Sequence, residues 1–156
     1  MKITEEWLKE KNACQVGIDW FNSYHISDGK KLVKALMIED KLSWANWLIV
    51  RIMSYKQYVS YAVFAAEQVI DIYEKKYPKD KRPRAAIEVA KKCIENPSVE
   101  NKLAAVNAAY AAYAAYAAAD AADAADAANA VNAAAYAADA AAKIKILNYG
   151  LSLIDD

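Results

Sequence analysis

The chain has 156 residues, long enough for one domain with a real buried core and no need of covalent staples. Its 20 Lys and Arg balance 20 Asp and Glu, so no global field points to nucleic acid or to a membrane surface. No apolar stretch is long enough for a leader or a bilayer span, since the run from Trp44 to Met53 is broken by Asn46 and Arg51.

Charge is uneven along the chain. Residues 1–102 carry 18 basic and 14 acidic side chains, and residues 103–156 carry 2 and 6. The two cysteines, Cys14 and Cys93, are far apart and form no CxxC pattern. They read as reduced, buried thiols, which fits a cytoplasmic protein.

Helix signals dominate, and no segment alternates as a surface strand does. Thr4, followed by Glu5 and Glu6, caps a first helix that buries Trp7 and Leu8. A second helix carries Val16, Trp20 and Phe21, with Val16 and Trp20 one turn apart on its inner face. The Ser27-Asp28-Gly29 turn leads into a third helix with Leu32, Ala35 and Leu36 on one side. Ser43 is the expected cap of a fourth, bearing Trp44, Trp47, Leu48 and Ile52.

Residues 55–77 read as one central helix. Val59, Ala62, Ala66, Val69, Ile70 and Tyr73 recur at helical spacing, with Ser60, Glu67, Asp71 and Glu74 opposite. Pro78 ends it, and Pro83 suits the first position of a helix over 83–95 that turns Ile87, Ala90 and Ile94 inward. Asn96-Pro97-Ser98 stops that helix, and Ser98 caps the next.

Between Ala104 and Ala142, 26 of 39 residues are alanine, which makes helix the strong expectation. Tyr110, Tyr113 and Tyr116, then Asp120, Asp123 and Asp126, then Asn129 and Asn132 mark a three-residue step. In a helix of 3.6 residues per turn that step slips by roughly 60° each time, so the marked residues wind around the axis. Forty-five helical residues would reach roughly 68 Å, against a diameter of about 40 Å for a domain of this size. A break between Ala117 and Asn132 is therefore expected, with Ile144, Ile146, Leu147, Leu151 and Leu153 returning to the core. The fold expected is an all-α bundle of about seven or eight helices, one domain over residues 1–156, with residues 103–142 as its Ala-rich segment.

The chemistry points away from catalysis. His25 is the only histidine, beside a predicted turn, with no nucleophile motif and no Gly-rich phosphate loop to accompany it. Two isolated cysteines and one histidine cannot build a zinc site of normal spacing. Asp120, Asp123 and Asp126 could share a hard cation, but a solvated face explains them more simply, and neither metal nor cofactor is expected.

The basic stretch is the strongest functional candidate. Lys79, Lys81, Arg82 and Arg84 cluster around a turn and a helix start, where backbone N–H groups and guanidinium forks suit a phosphate or carboxylate. Its ordinary alternative is a solvated linker. Tyr55, Tyr58 and Tyr61, with Tyr110 and Tyr113 further on, either line a pocket for a flat ligand or form core seams with their hydroxyls at the surface. Duplex DNA is not an expected partner, for want of a recognition-helix motif and of net charge.

The run Arg82-Pro83-Arg84-Ala85-Ala86-Ile87-Glu88-Val89-Ala90, followed by an Ala-rich helical tail, resembles the helical immunity-protein domain of polymorphic toxin systems. The similarity covers roughly residues 40–150. The stretch from Asn12 to Phe21 also resembles an opening found in phage and bacterial accessory proteins. The resemblance implies a non-catalytic neutraliser in which the arginines of the run act.

The expectation is thus a cytoplasmic binding protein that neutralises a protein toxin or defence protein by sequestration, through Arg82 and Arg84 with Lys79 and Lys81. The alternative is a sponge for an anionic small molecule, a phosphorylated nucleotide signal, with Tyr110 and Tyr113 stacking on its base. A third is a structural homo-oligomer built on the Ala-rich helix.

Overall fold

The computed structural model describes residues 1–68, 70–102 and 131–154. The described residues are all-α, as expected: eight helices and no strand. They run α1 (Glu5–Glu10), α2 (Gln15–Tyr24), α3 (Gly29–Ile38), α4 (Leu42–Ile52), α5 (Tyr55–Glu67), α6 (Ile70–Lys76), α7 (Arg82–Glu95) and α8 (Val131–Leu153). No helix among them is long and apolar enough to cross a membrane. Residues 103–130, with Tyr110, Tyr113, Tyr116 and the Asp120/Asp123/Asp126 ladder, lie outside the described residues.

The chain forms two compact units, one of residues 1–53 and 143–156, the other of residues 54–142. In the first, Thr4 caps α1 by accepting the Trp7 N–H at 3.2 Å, and Leu8 is buried. The segment before α1 is pinned by backbone bonds, Ile3 N–H to the Ser27 carbonyl at 2.7 Å and Gly29 N–H to the Met1 carbonyl at 2.9 Å. Those bonds bury Ile3 against the start of α3.

Tight corners join the first four helices. Asn12, His25 and Asp40 each adopt positive φ, between 51° and 57°, where a short polar residue or histidine is tolerated better than a branched one. The core of this unit is Leu32, Val33 and Leu36 of α3 with Ala45, Leu48 and Ile49 of α4, joined by Leu147 and Leu151 of α8. Lys30 ties the end of the chain down by donating to the Ile154 carbonyl at 3.0 Å.

Three expectations for the helices of this unit need correction. Val16 is 65% exposed, because α2 turns Ile18 into the core instead. Helix α4 starts one residue before Ser43, with Lys41 at the cap position and no side-chain cap bond. The corner at Asp40 is so tight that the Lys41 N–H still reaches the Leu36 carbonyl, and the next residue, Leu42, is already helical and buried. Ile144 is 42% exposed, while Leu147 and Leu151, one turn apart, carry the buried stripe of α8.

In the second unit a capping box starts α5. The Ser54 hydroxyl accepts the Gln57 N–H at 3.4 Å, and the Gln57 side chain accepts the Ser54 N–H at 2.8 Å. The expected single helix over 55–77 is two helices. It is interrupted at Gln68, whose amide is shared between the Phe64 and Ala65 carbonyls and whose side chain also donates to Phe64 O. That side chain competes with the residue's own N–H for the same carbonyl. The buried residues of α5 are Tyr61 and Val63, whereas Ala62 is exposed. Val63, Ile70 and Ile87 form the core of this unit, with Val59, Ala66, Ala90 and Ile94 packed on it. Ser98 caps the following turn as expected, accepting the Asn101 N–H at 3.2 Å.

Candidate functional site

Asp80 and Pro83 shape the start of α7, and they decide what Arg82 can do. Both oxygens of Asp80 are taken by Arg82, Nε to Oδ1 at 2.9 Å and a terminal nitrogen to Oδ2 at 2.8 Å. The same Oδ1 accepts the Arg82 backbone N–H at 3.0 Å. The anion that the sequence anticipates at this helix start is thus the protein's own carboxylate.

Arg84 is engaged in the same way. Its guanidinium makes two 2.6 Å bonds to Glu74 and a 3.2 Å bond to Asp71, which joins α7 to α6. These bonds hold the Glu74 carboxyl below its ordinary range. Lys79 and Lys81 are exposed and, with Asp80, Arg82 and Ala85, surround a shallow open depression. The structure therefore brings the four basic residues to one turn, with both guanidiniums internally satisfied. Tyr110 and Tyr113, the other residues expected at the site, lie outside the described residues.

A second feature carries no motif in the sequence. Helices α1 to α4 enclose a half-open cavity of about 390 Å³ in the first unit. Trp20, Phe21, Trp44 and Trp47 supply its aromatic lining, and Leu8, Leu32, Leu36 and Leu48 part of its aliphatic lining. The polar contributions are few: Asn12, Cys14 and Ser43. Its size and its mostly apolar wall with scattered polar groups are those of a small ligand pocket. All four aromatic side chains are half-buried.

Bonds behind the cavity fix its walls. The Trp20 indole N–H donates to Glu39 at 2.9 Å, and its ring stacks on Tyr24 with centroids 4.5 Å apart. Glu39 also receives Lys41 at 2.6 Å. Together Lys41, the Tyr24 hydroxyl and the Trp20 indole hold the Glu39 carboxyl down at about 2, so it is ionised throughout the neutral range. Lys41 Nζ stands 6.0 Å from the Trp44 ring centre. The Arg51 guanidinium lies 3.9 Å from that of Trp47 and donates to the Trp47 carbonyl at 2.9 Å.

The cysteines differ from each other. Cys93 is buried and donates to the Asn101 carbonyl at 2.8 Å, whereas Cys14, expected to be buried, is exposed at the cavity edge. His25 is an exposed helix-ending residue with positive φ.

The cavity is not legible in the sequence because Trp44 and Trp47, three apart on a helix, look like core at that spacing. The available signal was crowding. Trp7, Trp20, Phe21, Trp44 and Trp47 fall within 41 consecutive residues, more ring area than four short helices bury completely. Compared with protein-family models, curated proteins and solved structures, the chain matches none of them.

Proposed function

We propose that this chain is a non-catalytic binding protein of the immunity type, which neutralises a toxin or defence protein in the cytoplasm by sequestering it. The contact is made through the aromatic cavity of the first unit. The observation that carries this reading is the cavity itself, a concave site whose indole walls are braced by Glu39 and Arg51 before any partner arrives. Pre-ordered walls avoid part of the ordering cost of association. Tryptophan in a sheltered pocket is also the residue type that most often dominates an interface.

The nucleotide-sponge alternative has less behind it. A phosphate at Arg82 or Arg84 would have to displace Asp80 or Glu74 from short charge-assisted bonds.

The test is capture of the partner from the native host by tagged wild type, by Trp44→Ala, and by a double Arg82→Ala/Arg84→Ala variant. Far-UV circular dichroism confirms that each variant is folded. We expect Trp44→Ala to lose the partner by at least about tenfold, as loss of an interface anchor does, and the double variant to keep it. The reverse pattern would return the site to the basic turn. A bound mass of a few hundred daltons in native mass spectrometry, with no protein partner, would replace this reading with the sponge.

A further inference from the structure

The cavity also indicates what it receives, and the following inference rests on the binding reading above. We infer that it accepts an aromatic or bulky apolar side chain flanked by carboxylates on the partner protein.

The lining sets the apolar part. Beyond Asn12, Cys14 and Ser43 it offers rings and aliphatic carbons, so a charged group inside would lose its water and gain no partner. The rim sets the charge. Four aromatic walls could in principle form a cage for a cation. Here, however, two of those walls already carry cations of the protein, Lys41 at Trp44 and Arg51 at Trp47, and a third would meet them.

Of these two, Lys41 is neutralised by Glu39 at 2.6 Å. Arg51 makes its one hydrogen bond to a neutral carbonyl and has no carboxylate partner among the described residues. Among the described residues this leaves Arg51 as a guanidinium without a carboxylate partner, held in place one indole from the cavity. A guanidinium has five N–H donors in a fixed fork, and among the described residues only one of the Arg51 donors is taken. The uncapped first turn of α4, beside Ser43, adds a partial positive charge of the same sense.

The experiment uses the intact chain and three acetylated, amidated peptides centred on phenylalanine: Glu-Asp-Phe-Asp-Glu, Ser-Gly-Phe-Gly-Ser and Lys-Lys-Phe-Lys-Lys. The readout is the indole N–H resonances in ¹H–¹⁵N spectra. Trp20, Trp44 and Trp47 line the cavity, and Trp7 does not, so Trp7 is an internal control. The acidic peptide is expected to move the first three signals and leave Trp7 still. At low salt it should bind up to about fivefold tighter than the neutral one, the range of a single solvent-exposed charge pair. Raised salt should remove that advantage. Arg51→Gln should abolish the preference, so that the acidic and neutral peptides bind alike, and Arg51→Lys should keep part of it.

A lysine peptide that binds as tightly as the acidic one, shifts spread equally to Trp7, or no shift at all would overturn the inference. Failure of the binding reading looks different. If partner capture persists in Trp44→Ala, that reading falls. If capture depends on Trp44 while the peptides show no acidic preference, only the chemistry assigned to the occupant falls.

Discussion

Glu39 gathers three donors from three places in the chain: the Trp20 indole, the Tyr24 hydroxyl and the Lys41 ammonium. Each favours its ionised form, which sets its pKa at about 2 in the folded chain against 4.5 ordinarily. A carboxyl whose pKa is lowered by folding adds stability above its unfolded pKa and loses it as the pH falls through the folded one. The window here runs from about 4.5 down to about 2. A Glu39→Gln substitution keeps an oxygen for Trp20 but removes the charge that holds Lys41. The urea midpoint of Glu39→Gln should therefore lie below wild type at pH 7, and the gap should close as the pH is lowered through that window. A gap that stayed constant with pH would mean that Glu39 acts through shape alone. At the same scale, the pairing of Arg82 with Asp80 and of Arg84 with Glu74 was not legible in the sequence. Asp80 is two residues from Arg82, but the acids on Arg84, Glu74 and Asp71, are ten and thirteen residues away. Nothing in a linear charge count distinguishes a guanidinium awaiting a ligand from one already satisfied.

Local signals at helix ends were the most legible part of the fold. Thr4 and Ser98 act as their residue types predict, because capping depends on atoms within three positions of one another, while Pro83 stands second in α7, one place inside its start at Arg82. Where tertiary demands compete, the local reading slips. Ser43 loses the cap of α4 to the tight corner at Asp40, and the break at Gln68 has no Pro or Gly to announce it. The Ser54–Gln57 box offers a direct measure of one such local device. Ser54→Ala should lower stability by about 1 kcal/mol, seen as a reduced urea midpoint with an unchanged m-value. An unaffected midpoint would show that burial of Tyr61 and Val63 alone orders the start of α5.

The whole chain carries two built-in reporters, and they divide between its units. All four tryptophans lie in the first unit, and the buried thiol, Cys93, lies in the second. Periodicity found the helices of both units but misplaced some inner faces, at Val16, Ala62 and Ile144, and a three- or four-residue spacing does not name the helix on the other side. The reporters can. A disulfide reagent such as DTNB should modify Cys14 within mixing time and Cys93 only as the second unit opens. Ile87 is 5% exposed and packs with Val63 and Ile70, so Ile87→Ala should remove about 2–5 kcal/mol from that core. If opening of the core governs access, labelling of Cys93 should accelerate by about 30-fold or more, the lower end of that range. Cys14 should react as before, and tryptophan emission in native buffer should not move, because no indole belongs to the unit being weakened. An unchanged Cys93 rate would mean that the thiol is reached by a local fluctuation near Asn101, where it donates its hydrogen bond, and not through the Val63–Ile70–Ile87 core.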